Sequence, residues 1–188
     1  MSWPRLAPGS SGPGRRHLWV GLGLFALAAC GSTEPQPPPP LCPATLLLDG
    51  AERTTAYRAD DARPSEIRYL AVLRDLTSTC HYYNGQDSSG VDVDLSFKVI
   101  AERGPAFSGG DELTYFIATM GPDRRILAKE MLRGDLTFAE AEERAGWSEA
   151  ITLRLPSVAP GAAGSYTLYV GFQLDDAELA RRQQPLLR

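Results

Sequence analysis

Lysine is nearly missing from this chain: Lys98 and Lys129 are the only two in 188 residues. No stretch concentrates Lys and Arg. After residues 1–29, which hold Arg5, Arg15, Arg16 and no acid, 16 basic residues face 23 acidic ones, a net charge of −7. Nucleic acid binding needs a dense Lys/Arg surface that releases counterions from phosphate, so no nucleic acid partner is expected. Histidine is as sparse, with His81 alone beyond His17. A zinc site draws on nitrogen and sulfur ligands, and one histidine cannot supply it. No cofactor or metal is expected. A G-x-S-x-G elbow is also absent, and without it no serine stands in a recognisable nucleophile context.

Long apolar runs are missing too. The longest, Leu18 to Ala29 (LWVGLGLFALAA), has twelve residues, against the about 20 that a membrane-spanning helix needs. It follows Arg15 and Arg16 and ends in small side chains, the layout of a cleavable export signal. Residues 1–29 are therefore expected to be a signal peptide.

Leu27, Ala28, Ala29 and Cys30 close that segment, and the quartet resembles the lipobox of bacterial lipoproteins. The resemblance covers residues 15 to 30. It implies cleavage before Cys30, diacylglycerol on the Cys30 sulfur and acylation of the new amino end by palmitate-type chains. Two or more chains make such an anchor effectively permanent. The implied location is the cell envelope, lipid-anchored and facing the periplasm. Gly31, standing where Asp would retain a lipoprotein at the inner membrane, implies the outer membrane. Arg15-Arg16 also faintly resembles a twin-arginine export signal, although Leu18 stands where Phe is usual and no Lys follows; the general secretory route is the main expectation.

Residues 31–40 read GSTEPQPPPP, with five prolines and nothing apolar to bury. Such a segment is expected to be an extended spacer of about 3.1 Å per residue, a reach of roughly 30 Å. With the lipidated cysteine it makes a tether over 30–40.

From Leu41 the dominant period is two, the signature of half-buried strands. Val91, Val93, Leu95, Phe97 and Val99 alternate with Asp92, Asp94, Ser96 and Lys98. Trp147 to Leu155 alternates likewise, with Glu149 as the one charged interruption, and so does Tyr166 to Leu174. Ala44 to Leu48, Ile67 to Leu76, Leu113 to Met120 and Ile126 to Leu132 complete the expected strands. Asp49-Gly50, Asn84-Gly85, Gly109-Gly110 and Gly121-Pro122-Asp123 mark turns. The pattern predicts a mainly β fold over 41–175: a two-sheet antiparallel sandwich of immunoglobulin or fibronectin III type. Two short helices are expected besides. One spans Thr137 to Gly146, with Thr137 and Glu140 as a capping box and Glu140 paired with Arg144. The other lies within 176–188, entered through Asp175 and Glu178 as a second capping box, with Leu174 stapled onto Leu179.

With Cys30 lipidated, Cys42 and Cys80 form an even pair in an oxidising compartment, and a disulfide is expected. His81 follows Cys80, but neighbours on a strand face opposite ways, so the two make a poor catalytic alliance. Asn84, Asp87, Asp92 and Asp94 offer oxygens of the kind calcium takes, without the spacing of an EF-hand; the wet face of a strand already explains Asp92 and Asp94. Glu140, Glu142 and Glu143 read as a solvated face. Tyr82, Tyr83, Tyr115, Tyr166 and Tyr169 are core and rim residues unless they cluster on one surface.

These readings converge on a non-enzymatic envelope lipoprotein that binds an envelope protein partner or serves in assembly. Alternatives are a glycan or small-ligand binder using surface tyrosines, and a hydrolase built on acidic residues and His81.

Overall fold

The computed structural model describes residues 40–58, 62–85, 89–159 and 161–183. Its strands are β1 (Ala44–Leu47), β2 (Arg53–Tyr57), β3 (Ile67–Asn84), β4 (Ser89–Arg103), β5 (Asp111–Met120), β6 (Ile126–Leu136), β7 (Arg144–Pro156) and β8 (Thr167–Phe172). One helix, α1 (Asp176–Gln183), follows. The strands make two four-stranded sheets, β1-β8-β5-β6 and β2-β3-β4-β7, packed as a sandwich. The alternation in the sequence sets the inner faces: Val91, Val93, Leu95, Phe97, Val99 and Ala101 of β4 are all buried, opposite Leu113, Tyr115 and Ile117 of β5 and Leu168, Val170 and Phe172 of β8. Burial of these side chains, each contributing about 1.5–3 kcal/mol, supplies most of what holds the sheets together.

Four expectations are corrected. The sandwich is not wholly antiparallel: β1 runs parallel to β8, with Ala44 opposite Thr167 and Leu47 opposite Val170. A disulfide between Cys42 and Cys80 pins the start of β1 at the end of the sandwich where β8 also begins, so both strands leave in the same direction.

The helix over Thr137 to Gly146 does not form. Residues 137–143 are a loop and turn, and β7 already starts at Arg144. Ala141 has φ 64, outside the helical region. Tertiary contacts outweigh the capping box here. Phe138 packs edge-on against Phe107 at 4.8 Å, Arg103 lies over both rings, and Arg103 Nη2 donates to Ala139 O at 2.9 Å. Arg144 pairs with Glu102 rather than Glu140.

The strand from Ile67 does not stop at Leu76 but runs to Asn84, with a bulge between Arg74 and Thr77. Before the bulge Tyr69, Ala71 and Leu73 face inward; after it Leu76, Cys80 and Tyr82 do. Asp75, with φ 57, absorbs the extra residue and flips the face.

Half of the second capping box forms. The backbone N–H of Glu178 donates to Asp175 Oδ1 at 2.6 Å, but the Glu178 carboxylate turns away from the cap, accepting from Thr54 Oγ1 at 2.8 Å and the Thr55 N–H at 3.0 Å. Arg182 donates to the same carboxylate at 2.7 Å and to the carbonyls of Gly50 and Arg53. The helix is thus docked on β2 by polar contacts. Leu174 is buried while Leu179 is 40% exposed.

Candidate functional site

Among the described residues β6 and β7 are the longer edge strands of their sheets, and they meet where Gly134 lies against Trp147. Between them the inward face of β7 carries Trp147 and Glu149, the one charged interruption in its alternating pattern. Glu149 Oε1 accepts from Trp147 Nε1 at 2.6 Å and from the Tyr115 hydroxyl. Tyr115 is itself 1% exposed and meets Phe97 edge-on at 5.8 Å. Its phenol is pushed up to about 12, first by burial and next by the bond to Glu149. A carboxylate inside a sandwich is costly unless its oxygens are hydrogen-bonded; the phenol and the indole offset that cost.

Gly134 on β6 makes room for the indole. A Cβ at that position would stand 2.3 Å from Trp147 Cζ2. The result is an open bay of about 860 Å³, bounded by Trp147, Glu149, Asp135, Thr137, Glu142 and Arg144 among others. Its lining includes the three acidic residues Asp135, Glu142 and Glu149 against one basic residue, Arg144, whose guanidinium is held by Glu102 at 2.8 Å. The bay is therefore acidic with an aromatic wall. Such a surface suits cationic or hydroxyl-rich groups laid against the indole, beside two strands that are sheet edges among the described residues.

Cys30 lies outside the described residues, as do residues 1–39. Cys42 and Cys80 are joined, their Cα atoms 5.8 Å apart, as expected. His81 is on the outer face of β3, its side chain 73% exposed, with Nε2 3.4 Å from Asp94. Glu149 points to the opposite side of that sheet, so the two do not share a site. Asp92 accepts bidentately from Arg154 at 2.8 Å on each arm, which holds its carboxyl below the ordinary range, and Asp94 accepts from Thr152 at 2.5 Å. Asp87 lies outside the described residues. Both aspartates sit on the wet face, as their alternation predicts.

The five tyrosines do not gather. Tyr115 is in the core, Tyr82 faces inward and donates to Leu41 O, and Tyr83 covers Gly90 on the outer face beneath Arg154 at 4.7 Å. Tyr169 is on the outer face of the other sheet, and Tyr166 packs against the core.

In the sequence Glu149 stands out as a charged interruption, with nothing nearby to assign it to a site. The signal was there: a charge on an inward position of an otherwise apolar alternation needs partners. What could not be read was which tyrosine would meet it, since Tyr115 is 34 residues away. Glu140, Glu142 and Glu143 are exposed, and Glu142 reaches the rim of the bay. Comparison with protein-family models finds no match, and comparisons with curated proteins and with solved structures find none either.

Proposed function

We propose that the chain is a lipoprotein of the bacterial envelope, anchored through Cys30 at the outer membrane and facing the periplasm, whose sandwich is a non-enzymatic binding module. The observation that carries the binding role is the acidic, Trp-walled bay beside the β6 and β7 edges. Its one inward carboxylate is held by a phenol and an indole rather than by a base or nucleophile. Elsewhere, Asp92 is paired with Arg154 and Glu66 with Arg58.

The finer architecture we propose is of immunoglobulin or fibronectin III type. β3, β4 and β7 stand in the order of strands A, B and E, and β8, β5 and β6 in the order F, C and C′. The place beside F, where a last strand G would lie, is taken by β1 from the other end of the chain. Fold type carries no function with it, so the binding role rests on the bay.

Photocrosslinking in cells tests this. A photoreactive residue at Thr137, on the bay, is expected to capture one defined envelope component; the same residue at Ser96, on the outer face of β4, is not. Trp147→Ala should abolish the capture. Indistinguishable capture from both positions, or turnover of an envelope substrate by the purified protein, overturns the proposal. Mass spectrometry of the mature N-terminus tests Cys30 separately.

A further inference from the structure

The strand pairings bring three segments to one end of the sandwich. Ala44 at the start of β1 is opposite Thr167, and Thr167 is opposite Met120 at the end of β5. The turn Gly121 to Arg125 therefore projects at the end where the chain enters from the proline-rich segment. That turn is a fingertip. Every residue from Pro122 to Met131 is exposed, on both faces of β6. Ile126 is 57% and Leu127 56% exposed, and Leu41, at the entry point, is 69% exposed. Three strand spacings, roughly 14 Å, separate the entry from the fingertip.

Two large aliphatic side chains more than half exposed at a tip are costly in water and call for a partner. Arg124 and Arg125 precede them directly. Among the described residues of the tip, Asp123 offsets that charge, 3.6 Å from Arg125; Lys129 and Glu130 further along cancel one another. A cationic tip backed by aliphatic side chains matches the interface of an anionic bilayer, where headgroups attract arginine and the acyl boundary takes the apolar groups.

Resting on the lipid anchor proposed above, we infer that the 121–127 fingertip docks on the anionic lipid surface to which the chain is tethered. Ten residues separate Cys30 from Leu41. The tether thus limits the entry end of the sandwich to about 30 Å from the bilayer, and the fingertip is at that end. With the tip down, the sandwich stands on the membrane and the loops at its far end, 104–110 and 137–143, point away from it.

Trypsin reads this out directly, because Arg124 and Arg125 are themselves the cleavage sites. The full chain is reconstituted in vesicles of phosphatidylcholine alone or with phosphatidylglycerol, and cleavage at Arg125 is compared with cleavage at Arg58, at the opposite end and 63% exposed. On the anionic vesicles cutting at Arg125 should slow about fivefold relative to Arg58, the factor that one net arginine near an anionic leaflet contributes. Ile126→Ser with Leu127→Ser, at exposed positions that do not endanger folding, should remove the protection while keeping the cleavage site. Equal cutting at Arg125 on both vesicle types, equal slowing at Arg58, or protection kept by the serine variant overturns the inference. The mass of the mature N-terminus reports on the anchor alone, so a missing lipid and a missing tip contact give different results.

Discussion

Asp75 decides which way Cys80 points. Five residues upstream of the cysteine, it occupies a left-handed conformation (φ 57) within the bulge of β3. Past it the inward positions change parity, so that Ser78, Cys80 and Tyr82 face β1. There Ser78 Oγ meets Thr45 Oγ1 at 2.8 Å and Cys80 meets Cys42. Deleting Asp75 should turn Cys80 to the outer face. Thiol titration of the deletion variant is expected to find Cys42 and Cys80 free, whereas Asp75→Gly, which suits the left-handed backbone, should keep the bridge. An intact disulfide in the deletion variant would show that the bulge does not set its register.

The bridge joins residues 38 apart and crosses from one sheet to the other. Chain-entropy arithmetic for a loop of that size gives about 4 kcal/mol at most. Cys42→Ser with Cys80→Ser should lower the urea midpoint accordingly, without a change of fold by circular dichroism. The loss should appear first as faster amide exchange in β1, a parallel ladder of four residues with β8 whose other tie to β3 is the Thr45–Ser78 hydrogen bond.

Gly134 and Trp147 share one space. Gly134→Ala drives a methyl group into the indole, and overpacking of this kind costs about 1–3 kcal/mol. Melting temperature should fall, and the indole emission should shift as Trp147 is displaced from Glu149. An unchanged melting temperature would mean that β6 yields freely at this point.

Alkaline pH should unfold the protein through two tyrosines. Burial raises both Tyr69 and Tyr115 from 10.0 to about 12, helped at Tyr69 by Asp111 and at Tyr115 by the bond to Glu149. Their folded pKa lies above the unfolded one, so between these values the folded state holds the more protons. The stability they contribute is fully present below about pH 10 and is lost as pH rises toward 12, at up to about 1.4 kcal/mol per pH unit for each phenol. Urea titrations at pH 9, 10 and 11 are expected to show this slope (about one unit apart, within that window), and Tyr115→Phe should reduce it.

Glu178 is the clasp of the C-terminal helix. It is 6% exposed and holds Thr54, Thr55 and Arg182 together. Removing it leaves a buried hydroxyl and a backbone donor unpaired, a cost of about 1–3 kcal/mol. Glu178→Ala should free α1 to proteolysis at Arg181 and Arg182 while the sandwich core stays protected from exchange. Equal protection of the helix would contradict the clasp.

Local pattern was enough for the strands. β4 carries clean period-two alternation, and the structure buries the residues that the pattern marks; β7, interrupted by Glu149, has its marked residues buried or half-buried. β2, by contrast, has only Arg53 to Tyr57, too short and too polar to announce itself; it exists because β3 offers an edge and Glu178 caps it from the helix. The loop at 137–143 shows the opposite failure. Thr137, Glu140 and Arg144 satisfy every local rule for a helix, and they lose to Phe138, which has a better place between Arg103 and Phe107 than on a solvent-facing turn.

The same division holds for the candidate site. A charge at position 149 of an apolar alternation is legible in one dimension, and so is the need for partners. Tyr115, Gly134 and Trp147 become those partners only when β5, β6 and β7 come together from different parts of the chain.

By itself the sequence determined the class of fold, the disulfide pair and the acidic charge balance, because alternation, cysteine count and charge are local or additive properties. Tertiary structure alone decided the parallel seat of β1, the face that Cys80 shows, the clasp of α1 and the bay at Glu149. Each of these depends on a backbone bulge or on contacts between residues far apart in the chain, where packing overrides what any short stretch of sequence prefers.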